Sequence, residues 1–514
     1  AALIVAALVT AAYKLVQSIA VLRIQGKMDY AVQSAVWDRL LDLPSGFFRD
    51  YAAGDLANRA AGVNAIRGLL SGAGVAAVLG AFSSLFYFAL MFYYSVPLAL
   101  LAVFLTIIFV SFTTLANHTQ LRHQRRLFEL QGTISGLVLQ LISGVSKLRV
   151  SGSEDHAFRV WAERFSEQRR VAFTVGRIQN AVATWNAGFP VFSSIAIFYL
   201  VASSQEKALA SGGTGLTTGE FIAFSAAYAL FLTAMQSLAT ASLELLEAVP
   251  LYERLAPILD TEPEVDASKA YPGKLKGEIE LSHLHFRYQD DGPWIIKDVS
   301  LRIRPGEFVA FVGASGSGKS TLMRLMLGFE RPAKGSIYYD GLDLGHLDLR
   351  EVRQQLGVVL QESKVLPADV FRNIVGTTSR TLEEAWDAAR MAGLEEDIRN
   401  MPMGMHTYVS EGGGGFSGGQ RQRLLIARAV VNKPRILFMD EATSALDNRN
   451  QAIVTESLDR LHATRIVIAH RLTTVIGADT ICYLEGGEIV EQGTYEELMR
   501  LDGRFARLAR RQIA

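Results

Sequence analysis

The nine residues Gly313-Ala314-Ser315-Gly316-Ser317-Gly318-Lys319-Ser320-Thr321 fit the spacing G-x-x-x-x-G-K-[ST]. Glycines let a chain wrap a phosphate so that successive backbone N–H groups point inward. Lys319 then reaches the β- and γ-phosphates, and the Ser320 hydroxyl ligates Mg²⁺. The run follows an apolar strand, Phe308 to Val312, and opens a helix, Thr321 to Leu327, whose N-terminal dipole favours an anion. A second element, Ile436-Leu437-Phe438-Met439-Asp440-Glu441, reads as a buried parallel strand ending in two carboxylates. Ligands collect at that edge of an open α/β sheet. Asp440 is expected to hold the Mg²⁺ shell, and Glu441 to take a proton from an attacking water or hold it in line. Between them, Phe416-Ser417-Gly418-Gly419-Gln420-Arg421-Gln422-Arg423 opens a helix from Arg421 to Val431. It is a second anion-binding helix start, this one without a lysine. It belongs either to the same site or to the site of a partner subunit.

The elements that must carry this chemistry occupy only half of the chain. Of 514 residues, half are apolar and 20% are charged, below the roughly 25% of an average soluble protein. Lys plus Arg (51) equals Asp plus Glu (51), so bulk charge gives no argument for a nucleic-acid partner. The single cysteine, Cys482, excludes an intramolecular disulfide scaffold. Disorder, collagen and a purely soluble single domain are excluded too, leaving a membrane protein with a soluble part.

Five stretches approach the roughly 20 apolar residues needed to cross a bilayer: Ala1 to Leu22, Leu69 to Tyr94, Pro97 to Leu115, Ala181 to Ser203 and Phe221 to Leu243. Because the chain opens inside an apolar run without Met, at least one further spanning helix is expected before Ala1. The segments Leu22 to Gly68 and Ala116 to Asn180 are rich in Arg and Lys, which places them in the cytoplasm. Both are helical in pattern, so the membrane helices should continue about 30 Å beyond the bilayer. Each has one break, Leu43-Pro44-Ser45-Gly46-Phe47-Phe48 and Val150-Ser151-Gly152-Ser153-Glu154. A short transverse helix and a simple turn fit these breaks equally. Polar handles inside the spans are few: Lys14, Gln17, Asn180, Asn186 and Gln236. A charge such as Lys14 costs about 2.5–3.5 kcal/mol there on insertion scales, so it snorkels or faces a watery pathway.

Pro250 should kink or end the last membrane helix. The chain divides into a transmembrane domain, 1–250, a linker, 251–274, and a domain, 275–514, in which short β-rich runs alternate with helical ones.

Taken together, the phosphate loop, Gln361, Ser417-Gly418-Gly419-Gln420, Asp440-Glu441-Ala442-Thr443-Ser444-Ala445-Leu446-Asp447 and His470 closely resemble the ATP-binding cassette (ABC) transporters. The run Leu43-Pro44, Phe47-Phe48, Gly54-Asp55-Leu56 and Arg59 resembles the first intracellular loop of type I ABC exporters. The resemblance covers the whole chain. It implies an all-α transmembrane domain, lacking its first helix, fused to an α/β P-loop NTPase domain. It also implies that two chains sandwich two ATP molecules with Mg²⁺, each site pairing the phosphate loop of one with Ser417, Gly418, Gly419 and Gln420 of the other. Tyr288 holds the position of the aromatic that stacks on adenine; a strand-core tyrosine is the other reading. Gln361 corresponds to the residue linking Mg²⁺ and water to the membrane loops, His470 to the histidine on the γ-phosphate, and Asp447 to the loop between the two sites. The two breaks correspond to coupling helices. Phe416 stands where Leu is usual, beside an unusual glycine run, Gly412 to Gly415.

The implied function is ATP-driven export across the cytoplasmic membrane of a bacterium, by two copies of this chain or by one copy with a homologous half-transporter. A DNA-repair ATPase would need a long coiled coil between the motifs, and an importer would separate the two domains. Within the exporters, Gly144-Val145-Ser146-Lys147-Leu148-Arg149-Val150-Ser151-Gly152, Leu327-Gly328-Phe329-Glu330 and Val358-Val359-Leu360-Gln361 look most like the group exporting bacteriocins with nitrile-hydratase-type leader peptides. The cargo is then a modified peptide, with lipid or multidrug export as the alternative.

Overall fold

A computed structural model describes residues 2–210, 217–264, 268–361, 363–410, 414–443, 446–469 and 471–513, apart from some helical side chains that include Lys14 and Gln17. The chain forms two compact units, Ala1–Pro263 and Glu264–Ala514.

The first unit is helical: α1 (Ala2–Leu41), α2 (Ala53–Tyr94), α3 (Val96–Ser143), α4 (Val145–Ser151), α5 (Glu154–Ala210) and α6 (Thr218–Asp260). Among the described residues, Val96–Ser143, Glu154–Glu206 and Thr218–Asp260 are long and apolar enough to cross a membrane, and Gly80–Tyr94 is a shorter apolar segment. The 48 residues of α3 extend about 72 Å at 1.5 Å per residue. That is more than twice the hydrocarbon thickness of about 30 Å, as the helical pattern of the charged loops requires.

The two breaks differ. The first closes with a single 3-10 turn, Phe47–Arg49. Leu43 is buried there with Leu40 of α1, Leu56 of α2 and Ile258 of α6. The second is a true short helix, α4, centred earlier than the break in the pattern suggests. It ends where Gly152 takes a left-handed conformation and Ser153 N–H returns to Leu148 O at 3.0 Å.

Helix α6 does not stop at Pro250: it runs through Pro250 and Pro257 to Asp260, so part of the expected linker is membrane-unit helix. Tertiary contacts outweigh the lost N–H bonds. Leu255 and Ile258 are buried. Arg254 donates to Phe128 O at 2.6 Å and to Asp55 at 2.5 Å. Asp55 also accepts from Arg59 at 2.7 Å, and Arg59 donates to Arg254 O at 2.8 Å. Asp55 and Arg59 thus form, with Arg254, an ionic knot joining α2, α3 and α6. Gly132 of α3 lies against it, where any Cβ would collide with Asp55 and Arg254.

The second unit centres on a six-stranded sheet ordered β12-β11-β3-β10-β9-β6. Its strands are β3 (Phe308–Val312), β6 (Leu356–Val359), β9 (Ile436–Asp440), β10 (Thr464–Ile468), β11 (Thr480–Glu485) and β12 (Glu488–Gly493). All neighbours are parallel except β11–β12. A four-stranded antiparallel sheet, ordered β2-β1-β4-β5, holds β1 (Ile279–Phe286), β2 (Ile296–Ile303), β4 (Lys334–Tyr339) and β5 (Leu342–Asp343). A small pair joins β7 (Ala368–Asp369) to β8 (Tyr408–Val409).

Strand β3 is buried on both faces, as an uninterrupted apolar run requires. Phe308, Ala310 and Val312 enter one core with the helix Gly418–Val430, while Val309 and Phe311 enter another with helix α7 (Lys319–Met326). Cys482 lies in this sheet, fully buried, and burial pushes its thiol up to about 12.

Two outcomes are expected. The side chains of the knot are 17–19% exposed, so losing Asp55 costs less than the roughly 3–5 kcal/mol of a fully buried pair; Asp55→Ala should still lower the detergent melting temperature of the helical signal, and an unchanged melting point would refute the knot. Cys482 should resist maleimide at pH 8 in the folded chain and react once the sheet is unfolded by denaturant; rapid labelling of native protein would contradict its placement.

Candidate functional site

Parallel pairing sets Ile468 of β10 opposite both Phe311 of β3 and Asp440 of β9, and Val359 of β6 opposite Met439. The C-terminal ends of β3, β10, β9 and β6 therefore form one edge. The segments leaving that edge are the glycine loop after β3, Ala469 after β10, Glu441 after β9 and Gln361 after β6. His470, Ser444 and Ala445 lie outside the described residues.

The loop owes its shape to glycines with positive φ: 146° at Gly313, 79° at Gly316 and 104° at Gly318. At Gly318 a Cβ would meet Ile295 O at 3.0 Å and the Ile296 side chain at 2.9 Å. Close approach and backbone sign thus both exclude larger residues. Helix α7 starts at Lys319, two residues before the sequence reading. Ser320 on its first turn is exposed, whereas Ser317, Lys319 and Thr321 are buried.

The Lys319 ammonium donates to Gly313 O at 2.9 Å, Ala314 O at 2.8 Å and Ser317 Oγ at 3.4 Å. Burial lowers its pKa from the usual lysine value, against the opposing pull of Asp440 and Glu441. A cation held in a glycine loop after β3, attracted by carboxylates at the end of β9 two strands away, can bridge to phosphate oxygens. Tyr288 is part exposed. Its hydroxyl lies 3.1 Å from Thr321 Oγ1, and its ring meets Phe286 edge-on with centroids 4.9 Å apart. It therefore flanks the helix start and is not strand core.

Asp440 is buried at the end of β9. Glu441 follows with φ of +53°, a sparsely populated conformation for a residue other than glycine. Two hydrogen bonds hold it: its N–H donates to Ile468 O at 3.1 Å, and its carbonyl accepts from Gln422 Nε2 at 2.8 Å. Gln361, Asp440, Glu441, Gly418 and Gln422 line one cleft of about 250 Å³.

Ser417 caps the helix Gly418–Val430 in a reciprocal box with Gln420: Gln420 N–H donates to Ser417 Oγ at 3.2 Å, and Ser417 N–H donates to Gln420 Oε1 at 2.9 Å. Gln420 also donates to Asp397 at 2.7 Å, and Arg423 pairs with Asp397 at 2.8 Å. Phe416 packs partly buried against the core. Asp447 is exposed and caps the helix Asn448–Arg460, accepting from Asn450 N–H at 2.8 Å. Asp397 sits in no sequence motif, and Gln422 sits in the 416–423 run without an assigned role; the partners of both are defined only by folding.

The family described as ABC transporter transmembrane region matches residues 1–235, and that described as ABC transporter matches residues 296–444. The cyclolysin secretion/processing ATP-binding protein CyaB of Bordetella pertussis is 34% identical over 485 residues, 94% of this chain and 67% of that protein. The chain belongs to the ABC transporter family. The alpha-hemolysin translocation ATP-binding protein HlyB of Escherichia coli O157:H7 is 31% identical over 480 residues, 92% of this chain and 67% of its own length. A solved bacterial Atm1-family ABC exporter with ATP bound shares the fold, with a TM-score of 0.85 and 24% identity, over 96% of this chain and 86% of that one. This ABC exporter is therefore a half-transporter, with a helical membrane domain fused to an ATP-binding α/β domain, and a membrane-embedded ATPase coupled to transport.

Gly318→Ala should abolish ATPase activity while leaving expression and detergent extraction unchanged, because its strain is confined to the loop and its contact with Ile295 and Ile296; full activity would show that the loop geometry is not needed.

Proposed function

We propose that two copies of this chain, or one copy and a homologous half-transporter, hydrolyse Mg²⁺-ATP at shared sites to export a polypeptide across the bacterial cytoplasmic membrane. The observation that carries this reading is the common edge of β3, β9 and β6, which gathers Lys319, Asp440, Glu441 and Gln361 in a chain that also carries membrane helices.

The glycine loop, Gly313 and Ser315 to Thr321, takes the phosphates through backbone N–H groups, with Lys319 on the outer ones. Tyr288 lies where it offers a ring to the base. Ser320, Asp440 and Gln361 supply a hydroxyl, a carboxylate and an amide oxygen. That hard set, with a single carboxylate, suits Mg²⁺, which prefers few carboxylates beside phosphate and water. When bound, the ion neutralises charge on the phosphate oxygens. Glu441, with its backbone pinned at both N–H and C=O, directs its carboxylate as general base toward the attacking water. His470 contacts the γ-phosphate in this reading. By resemblance to the family, Ser417, Gly418, Gly419 and Gln420 complete the site of a second copy, and Asp447 belongs to the loop between the two sites.

The polypeptide cargo is supported by relatives named for secretion or translocation of protein toxins. The strings at 144–152, 327–330 and 358–361 favour leader-bearing modified peptides within that class.

Glu441→Gln should slow hydrolysis by roughly 10²- to 10⁴-fold, as for loss of a general base, while ATP still binds; near-normal turnover would remove Glu441 from that role. In proteoliposomes, a peptide bearing a nitrile-hydratase-type leader should stimulate the ATPase and be transported, whereas stimulation by phospholipid alone would favour lipid export.

A further inference from the structure

Helix α6 ends at Asp260, and Glu264 follows four positions later as the first residue of the second unit. The carboxylate of Glu264 accepts both Arg353 terminal nitrogens, at 2.6 and 2.9 Å. The same guanidinium donates through Nε to Leu327 O at 2.9 Å and through Nη2 to Gly328 O at 2.9 Å. It also lies over the Phe329 ring, 4.7 Å from its centroid. Leu327 and Gly328 close the C-terminal end of α7, the helix that begins at Lys319. One guanidinium therefore joins the segment leaving α6 to the far end of the phosphate-loop helix. The side chains are only 24% and 17% exposed, so the pair is largely shielded from solvent.

Arginine is required by the geometry. A planar fork serves a carboxylate on one edge while Nε and a second N–H serve two carbonyls; a lysine has one nitrogen and cannot span both. The cation also sits where the α7 macrodipole is negative. Further hydrogen bonds hold the segment along the same stretch of chain. Ala270 N–H donates to His346 O and Asp348 N–H to Ala270 O, each at 2.9 Å, and Gln355 Nε2 donates to Gly273 O at 2.8 Å. Arg353 and Gln355 immediately precede β6, the strand that presents Gln361. The clasp thus touches the routes to both Lys319 and Gln361.

We propose that the Glu264–Arg353 pair is a positioning clasp through which movement of α6 is transmitted to the phosphate-loop helix, coupling the membrane helices to nucleotide binding. The proposal rests on the reading of the glycine loop as the ATP site. Its test is hydrogen–deuterium exchange of the full chain in lipid nanodiscs, with and without ATP, Mg²⁺ and vanadate. In the parent chain, nucleotide should slow exchange about threefold or more both in 313–327 and in 244–260. Glu264→Gln and Arg353→Lys should keep the protection of 313–327 and an ATP KM within about twofold of the parent, yet lose the response of 244–260; Glu264→Asp, which keeps the charge, should restore at least half of it. A full response of 244–260 in Glu264→Gln and Arg353→Lys overturns the clasp. So does a variant that loses protection in both segments together, since that is a purely structural role. If parent and Lys319→Ala respond alike at 313–327, the reading of the ATP site fails instead.

Discussion

The parallel register among β3, β10, β9 and β6 is the constraint on which the rest of the nucleotide unit depends. These strands are mostly apolar and mostly buried, so slipping one strand by a single residue would exchange its two packing faces. With the register held, the ends of four strands separated widely in sequence come level. The glycine loop, two carboxylates and a glutamine then stand along one edge. The chemistry is thus organised by hydrophobic packing beneath it, and the polar groups are placed by the sheet.

The membrane unit meets a different constraint. Its helices are far longer than a bilayer requires, and their extensions are rich in charge. Partly buried charge is tolerated there because Asp55 is paired with two arginines, and Arg59 and Arg254 also donate to carbonyls of other helices. The Arg353 pair has the same physical form within the second unit, where one planar cation reads the Glu264 carboxylate and two helix-terminal carbonyls.

Much of this was legible from residue order. Strand β3 and the apolar part of β9 stand where the runs Phe308 to Val312 and Ile436 to Met439 put them, because a buried parallel strand has a compositional signature. The phosphate loop was legible because its glycines answer a local backbone demand. Helix ends were less so. The signature helix begins at Gly418 and not at Arg421, since the Ser417–Gln420 capping box draws the glycines into its first turn. Proline at 250 and 257 misleads, because local propensity there is overruled by Leu255, Ile258 and Arg254.

Sequence alone determined the class of the chain, the presence of a membrane part and an ATP-binding part, and the glycine loop with its strand and helix. Those properties rest on short-range physics: hydropathy over a helix length, glycine conformations, and side-chain type. Only the tertiary structure decided that Tyr288 reaches Thr321, that Gln422 pins Glu441, that Asp397 anchors the signature helix, and that Glu264 meets Arg353. Such partners lie from about twenty to ninety residues apart. A contact at that range is selected by the packed fold as a whole, and no local pattern encodes it.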